Sequence, residues 1–107
     1  LAGMAWMKEK TKLPLIVDPS HATGQQSLVI PMSLAAAAAG ADGLLIEVHH
    51  APAEALCDGP QALTPAHFSV LMQKLPAVLQ AVERSLLSST VRRSDAPHET
   101  RQVEASL

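Results

Sequence analysis

The chain has 107 residues, with 8 Lys and Arg against 10 Asp and Glu, and a formal net charge of −2. This length corresponds to one small domain. The charge balance leaves no basic surplus to neutralise the phosphates of a nucleic acid. Hydrophobic residues make up 48% of the chain but aromatic residues only 2%, so alanine, leucine and valine must fill the core. The composition is that of a folded globular protein rather than a disordered chain.

The sequence also argues against a membrane protein and a disulfide-bonded protein. No apolar segment approaches the ~20 residues of a membrane-spanning helix, and the first residues lack the basic start of a secretory signal. A single cysteine, Cys57, cannot form an internal disulfide. We therefore expect a cytoplasmic protein without a membrane or nucleic-acid partner.

The first half of the chain predicts a helix, a strand and a second helix. Helix-forming residues occupy 2–11 and end in lysines, which stabilise a helix C-terminus. A continuous apolar run over 13–17 predicts a strand buried on both faces. A polar loop over 18–27 follows, and then a helix over 28–39 that Gly40 is expected to end.

The second half begins with another strand that is expected to be buried, over 44–48. A polar loop over 49–63 follows, and Thr64 with the proline after it is expected to open a helix. The apolar residues of that helix recur every three or four positions. Residues 88–107 show no periodicity, so we predict a disordered tail outside the folded unit, which comprises residues 1–87.

This order of elements predicts an α/β fold. Two buried strands, each followed by a helix, describe consecutive βα units of a parallel sheet. In such sheets functional residues collect in the loops that follow the carboxyl ends of the strands.

Side chains that can bind a metal ion lie at or after the ends of both predicted strands. Asp18 and His21 follow the first strand, Glu47 lies near the end of the second, and His49 and Asp58 lie in the loop behind it. Because neighbouring parallel strands lie about 4.8 Å apart, these groups can converge on one point. One imidazole and two carboxylates suit a divalent ion such as Mn²⁺, Fe²⁺, Zn²⁺ or Co²⁺.

The same residues also fit a protein without a metal. His21 and His49 would then be exposed loop residues, Asp58 would cap a turn, and Glu47 would reach solvent at the end of its strand. A carboxylate that directly follows three apolar residues is costly to bury without a partner. Glu47 therefore favours a site, but spacing alone does not decide between the two interpretations.

Three segments carry motifs that occur together in a known enzyme family. Residues 13–24 contain Asp-Pro-Ser-His-Ala-Thr-Gly, residues 40–49 contain Ile-Glu-Val-His, and residues 55–61 contain Asp-Gly-Pro-Gln. In this order and at these separations, they resemble the class I 3-deoxy-7-phosphoheptulonate (DAHP) synthases, in the branch related to KDO-8-phosphate synthase. The resemblance extends over residues 5–85.

The resemblance implies the C-terminal part of a (β/α)8 TIM barrel: the end of helix 6, followed by βα units 7 and 8. Such a barrel needs ~250 residues, so this chain corresponds to a fraction of one. The family's cysteine ligand has no counterpart here, and Cys57 does not match it. The family's Lys and Arg residues that bind the substrate phosphates are also absent. We therefore expect the isolated chain to be inactive, marginally stable and prone to self-association.

The resemblance also implies an activity and a ligand set. The family condenses phosphoenolpyruvate with erythrose 4-phosphate and releases phosphate, which is the first step of the shikimate pathway to the aromatic amino acids. Carried over by motif, the divalent metal ion is held by His21, Glu47 and Asp58. Asp58 is also a candidate for contact with the aldose, and Asp18 and Ser20 are candidates for orienting His21.

Two alternatives remain. KDO-8-phosphate synthase is the nearest relative in the same class and differs mainly in the aldose; the Ala-Thr-Gly that follows His21 favours a DAHP synthase. A non-catalytic remnant or interaction module is the alternative from a different class. An in-frame coding extension upstream of Leu1 would favour the enzyme.

Overall fold

The computed structural model describes residues 1–54, 59–87 and 100–107, with the backbone alone for 100–106. The helices and strands in these residues are α1 (Ala2–Lys10), β1 (Ile16–Val17), α2 (Pro19–Thr23), α3 (Gln26–Ala39), β2 (Gly43–His49), α4 (Pro65–Ala81) and β3 (Thr100–Ser106). Two short 3-10 turns, Pro52–Glu54 and Gly59–Gln61, lie between β2 and α4. Across the described ranges, no helix is both long and apolar enough to cross a membrane.

The strands form one sheet in the order β1-β2-β3. β1 and β2 are parallel, with Ile16 opposite Gly43, and the chain passes from one to the other through α2 and α3. This confirms the predicted pair of parallel strands joined by a helical connection. β3 lies antiparallel on the other side of β2.

The core lies between β2 and the helices. Successive side chains of a strand point to opposite faces, and Leu44, Ile46 and Val48 of β2 belong to the buried apolar cluster. The helices, the connection between α3 and β2 and the chain before α4 contribute the remaining buried side chains: Val29, Ala36, Ala37, Ala41, Leu63, Leu71, Leu75 and Leu79. Each buried leucine contributes about 1.5–3 kcal/mol relative to an exposed one. The opposite face of β2 carries Glu47 and His49.

Local chemistry at the helix ends explains where the helices begin and end. At the start of α4 the Thr64 hydroxyl accepts a hydrogen bond from the backbone N–H of His67 at 3.1 Å, and Pro65 occupies the first turn, as predicted. Gly40 ends α3 with φ of 109°, a conformation that favours glycine. Helix α3 begins at Gln26, two residues earlier than expected, and its N-terminus has no side-chain cap.

The first strand differs from its prediction. β1 contains only two residues, and the side chain of Ile16 is 52% exposed, so the expectation of a strand buried on both faces is wrong here. Within the described residues, β1 pairs with β2 alone. The predicted loop over 18–27 also contains α2. The sequence pattern did not predict this helix, because five residues are too few to show a helical period.

The tail also differs from its prediction. Residues 100–106 were expected to be disordered, but they form β3 along the whole of β2. Only two of these seven residues are apolar, so the sequence pattern gave no sign of a strand. Residues 88–99 lie outside the described part of the chain.

A charged cluster joins the elements at the amino ends of β1 and β2. One carboxylate oxygen of Asp42 accepts hydrogen bonds from Lys8 Nζ at 2.7 Å and from the backbone N–H of Leu15 at 2.8 Å. Arg84 lies 3.9 Å from the other oxygen and donates to two backbone carbonyls near the end of α3. The hydrogen bond from Lys8, together with that of the Leu15 N–H and the nearby Arg84 charge, lowers the pKa of Asp42 below its usual 3.8.

Candidate metal site at the carboxyl ends of the parallel strands

The predicted site residues that the structure describes lie at one end of the β1–β2 pair. Asp18 follows β1 directly, and His21 lies in α2, which begins at the next residue. Glu47 and His49 lie among the last three residues of β2. Helix α2 lies against β2. The fold therefore brings these two segments to the same end of the sheet, as the strand order predicted.

Asp18 holds His21 at two points. One oxygen of its carboxylate accepts a hydrogen bond from the backbone N–H of His21 at 2.9 Å, which caps α2. The other oxygen lies 2.6 Å from His21 Nδ1. A carboxylate only accepts, so in the neutral ring Nδ1 carries the hydrogen and Nε2 carries the lone pair. Metal-ligating histidines commonly have this arrangement, in which a carboxylate fixes the ring and its tautomer.

Ser20 connects α2 to β2. Its side chain is fully buried, and its Oγ accepts a hydrogen bond from the backbone N–H of Glu47 at 3.0 Å. The residue directly before His21 is thereby bonded to the backbone of Glu47. We expected Ser20 to orient the His21 ring; the contact in the structure is with Glu47 and sets the position of one segment relative to the other.

Glu47 is buried, with 3% of its surface exposed. The interpretation that it reaches solvent at the strand end is therefore wrong. Its backbone carbonyl accepts a hydrogen bond from the N–H of Leu63 at 2.9 Å, so the chain before α4 packs directly beside it. Burying a carboxylate is costly unless cations or hydrogen-bond donors compensate its charge. The burial of Glu47 agrees with the interpretation of this end as a site.

His49 is the last residue of β2 and is 1% exposed. The interpretation of His49 as an exposed loop residue is therefore wrong. Its Nδ1 accepts a hydrogen bond from the backbone N–H of Ala51 at 2.8 Å, which places the proton of the neutral ring on Nε2. The ring stacks on that of His50, with centroids 4.6 Å apart. The two-residue spacing from Glu47 was the sequence signal that both side chains share one face of β2.

The third predicted ligand, Asp58, lies outside the described residues, as does Cys57. The turn that follows, Gly59–Gln61, lies beside α2 and α3. The described ranges contain no group of three or more His, Cys, Asp or Glu side chains that could hold a metal ion. Of the three predicted ligands, these ranges include His21 and Glu47.

Gln61 is a polar residue that the sequence reasoning did not single out. Its side-chain Nε2 is buried, and among the described residues it has no hydrogen-bond partner. Buried donors of this kind are uncommon in folded proteins. Its only sequence signal was its place in the Asp-Gly-Pro-Gln motif.

Comparison with known proteins decides the family. The model of the DAHP synthetase I family matches residues 1–81. The chain belongs to the DAHP synthetase I family. The resemblance carried by the three motifs is thereby confirmed, and the α/β fold agrees with it.

Two curated relatives of this family member have different activities in their names. Phospho-2-dehydro-3-deoxyheptonate aldolase of Thermotoga maritima is 43% identical over 82 residues, which cover 77% of this chain and 24% of the relative. A 2-dehydro-3-deoxyphosphooctonate aldolase of Desulfotalea psychrophila is 40% identical over 81 residues, covering 65% of this chain and 29% of the relative.

A solved structure shows the same fold. A truncated form of 3-deoxy-D-arabino-heptulosonate 7-phosphate synthase from Thermotoga maritima superposes with a TM-score of 0.66 and 45% sequence identity. The match covers 68% of this chain and 28% of that one. This member of the DAHP synthetase I family therefore spans 24–29% of the length of these three relatives.

Proposed function

We propose that this chain forms the C-terminal portion of a DAHP synthase barrel, comprising the end of helix 6 and βα units 7 and 8. The complete barrel condenses phosphoenolpyruvate with erythrose 4-phosphate and releases phosphate. The observation that carries the proposal is the buried Glu47, whose backbone N–H bonds Ser20, the neighbour of His21. This hydrogen bond joins residues 27 positions apart in the sequence, and through it the two motifs meet at one end of a parallel strand pair.

The donor set fits a divalent metal ion. His21 presents the tautomer of a metal ligand because Asp18 accepts from its Nδ1. Glu47 supplies a buried carboxylate, and the proposed third ligand is Asp58, which we also propose to contact the aldose. An imidazole and two carboxylates suit Mn²⁺, Fe²⁺, Zn²⁺ or Co²⁺. When bound, the ion supplies a Lewis acid that polarises the aldehyde oxygen of the aldose.

The residues of this chain then have distinct roles. Asp18 fixes the ring of His21 through both oxygens of its carboxylate. Ser20 fixes the distance between α2 and β2 through the Glu47 N–H. Because both contacts exist in the folded chain, the His21 ring and the Glu47 backbone are positioned without an ion, which reduces the free energy lost in ordering the site.

The length of the aldose separates the two candidate reactions. Phosphoenolpyruvate contributes three carbons, so a seven-carbon product requires a four-carbon aldose phosphate and an eight-carbon product a five-carbon one. The 43% identity to a heptonate aldolase favours the four-carbon aldose, as does the Ala-Thr-Gly that follows His21. The eight-carbon reaction remains the second candidate because octonate aldolases reach 41% identity.

We further propose that the isolated chain is inactive. It spans 24% of the Thermotoga maritima heptonate aldolase, and it lacks the Lys and Arg residues that bind substrate phosphates in the family. A mixture of the isolated chain, both substrates and Mn²⁺ is expected to release no phosphate above background.

A chimaeric enzyme tests the function directly. Residues 1–81 of this chain would replace the aligned segment of the Thermotoga maritima synthase, and phosphate release would be measured with Mn²⁺, phosphoenolpyruvate and either a four-carbon or a five-carbon aldose phosphate. We expect turnover with the four-carbon aldose, loss of it in His21→Ala, and no change in Glu9→Gln, whose exposed carboxylate lies on α1. A folded chimaera without turnover, or one indifferent to His21→Ala, would contradict the proposal.

A further inference from the structure

The backbone groups of β2 face two different sides in alternation. The N–H of Glu47 donates to Ser20 Oγ and that of His49 donates to Leu63 O at 2.8 Å. These odd-numbered residues therefore face the side of β1 and α2. On the other side, the carbonyl of Asp42 accepts from the N–H of Leu107 at 2.9 Å.

The Leu107–Asp42 bond determines which groups of β2 face β3. In an antiparallel pair, directly opposed residues alternate between hydrogen-bonded and non-hydrogen-bonded pairs. The register places Gly43 opposite Ser106 and His49 opposite Thr100. The even-numbered residues Leu44, Ile46 and Val48 consequently direct their N–H and C=O groups toward β3.

β3 thus covers one edge of β2 along its whole length, and it does so antiparallel. A (β/α)8 barrel contains only parallel strands, each paired on both edges. The same N–H and C=O groups cannot bond both an antiparallel β3 and a parallel neighbour. The paired β3 and a closed barrel are therefore mutually exclusive arrangements of this chain.

We propose that the even-numbered edge of β2, defined by Leu44, Ile46 and Val48, is the docking edge for a parallel strand of the polypeptide that completes the barrel, and that this strand displaces β3. The inference depends on the proposed function, because only a partial barrel requires such a partner. This chain aligns with 24% of the Thermotoga maritima relative, so most of that relative has no counterpart among these residues.

The other edge of the strand pair supports the same partner. In the described part of the chain, β1 has no strand on its outer side, and both Ile16 in β1 and Leu13 just before it are exposed. Exposed apolar residues beside an open strand edge mark a surface for pairing. Among the described residues the outer β1 edge is open and the β2 edge is covered, so a partner that closes the barrel pairs with β1 directly and with β2 only by displacing β3.

The composition of β3 suits a displaceable strand. Its sequence, Thr-Arg-Gln-Val-Glu-Ala-Ser, has two apolar residues among seven. Its backbone pairs with all seven residues of β2, and an arriving parallel strand would offer backbone hydrogen bonds in nearly equal number. By covering the edge, β3 also prevents β2 from pairing with other copies of the chain.

Hydrogen exchange of the isolated chain tests whether β3 protects the amides on this edge of β2, separately from any general loss of folding. Val103 lies opposite Ile46 and directs its N–H toward β2, so Val103→Pro removes a bond of the pair. Glu104 directs its N–H away, so Glu104→Pro is the matched control. We expect Val103→Pro to lower protection at Leu44, Ile46 and Val48 at least tenfold and to spare the amides of Glu47 and His49. Loss of protection at both sets, or at neither, would overturn the inference.

Association with a partner tests displacement. The probe is the Thermotoga maritima synthase polypeptide without the segment aligned with this chain, titrated with chains that carry or lack residues 88–107. Since β3 must leave before the parallel strand pairs, we expect the truncated chain and Val103→Pro to bind at least tenfold tighter than the full chain and Glu104→Pro. Equal or weaker binding by the truncated chain, or binding by none, would overturn the inference. The chimaera tests the proposed function separately from the displacement of β3, because its segments are covalently joined and need no association between two polypeptides.

Discussion

Each end of the β1–β2 pair carries an acidic residue that is bonded to neighbouring segments of the chain, but the groups around the two residues differ. At the amino end, Asp42 contacts Lys8 at 2.7 Å and lies 3.9 Å from Arg84, so cations of the chain itself balance its charge. At the carboxyl end, Glu47 is buried, and its backbone is bonded to the residue before His21. We interpret the first arrangement as stabilising the fold, and we propose the second as part of a metal site.

This division follows from the architecture. In βα proteins the amino ends of the strands carry stabilising contacts, whereas the carboxyl ends and the loops after them carry function. The Asp42 cluster joins α1, the start of β1 and the region after α4. The Glu47 region joins α2 and the chain before α4. Substitutions at the two carboxylates should therefore affect different measurements.

The largest expected effect is on catalysis at the carboxyl end. In the chimaera, Glu47→Gln removes the charge of a proposed ligand and should lower kcat/KM for phosphate release more than about 100-fold, beyond the 10–100-fold typical of residues that only support a ligand. The midpoint of urea unfolding should stay the same or rise, because a buried charge is lost. Unchanged turnover would remove Glu47 from the site.

Ser20→Ala should have the next largest effect. It deletes the bond that links α2 to the Glu47 N–H, so we expect the Kd for Mn²⁺ of the chimaera to rise about 10-fold to 100-fold. Ser20→Thr retains the hydroxyl and serves as the conservative control, which should recover most of the affinity. Equal Mn²⁺ affinities for Ser20→Ala and the parent chimaera would show that the link has no role in the site.

Asp42→Asn tests the amino end. Loss of the charge-assisted hydrogen bond from Lys8 should lower the free energy of unfolding of the chimaera by about 1–3 kcal/mol, measured by urea denaturation. Turnover per folded molecule should not change. Glu9→Gln, at an exposed position of α1, should shift stability by less than about 0.5 kcal/mol. A loss of activity in folded Asp42→Asn would erase the contrast between the two ends.

The pH dependence of that difference gives the smallest effect. The pKa of Asp42 is lowered below 3.8 in the folded chain. Its contribution to stability is therefore fully present above the unfolded value and is lost as the pH falls through the folded one. The stability gap between the parent and Asp42→Asn should be constant from pH 7 to pH 5 and shrink below pH 4. A gap that grows on acidification would show that the sign of the pKa shift is wrong.

Local signals in the sequence predicted much of this fold. Thr64 and Pro65 identified the start of α4, because capping depends only on neighbouring residues. The apolar run over 44–48 identified β2, because its helix-facing side forms the core. Helix α2 and strand β3 were missed for opposite reasons: one is too short for a period, and the other forms through backbone pairing with a distant strand.

The candidate site was predicted in part. The motifs named His21 and Glu47 and placed them at one end of the sheet, since parallel strands end together. The sequence could not reveal that Ser20 bonds the Glu47 backbone, because that contact joins segments 27 positions apart. Nor could it reveal the burial of His49, which depends on how the chain after β2 folds back against it.

Mn²⁺ binding by the chimaera tests the central claim most directly. Equilibrium titration followed by electron paramagnetic resonance would count the bound ions in the parent, His21→Ala, Glu47→Gln and Glu9→Gln proteins. We expect one tightly bound ion per chain in the parent and in Glu9→Gln, and loss of tight binding in the other two. Equal binding by all four proteins would contradict a metal site built on His21 and Glu47.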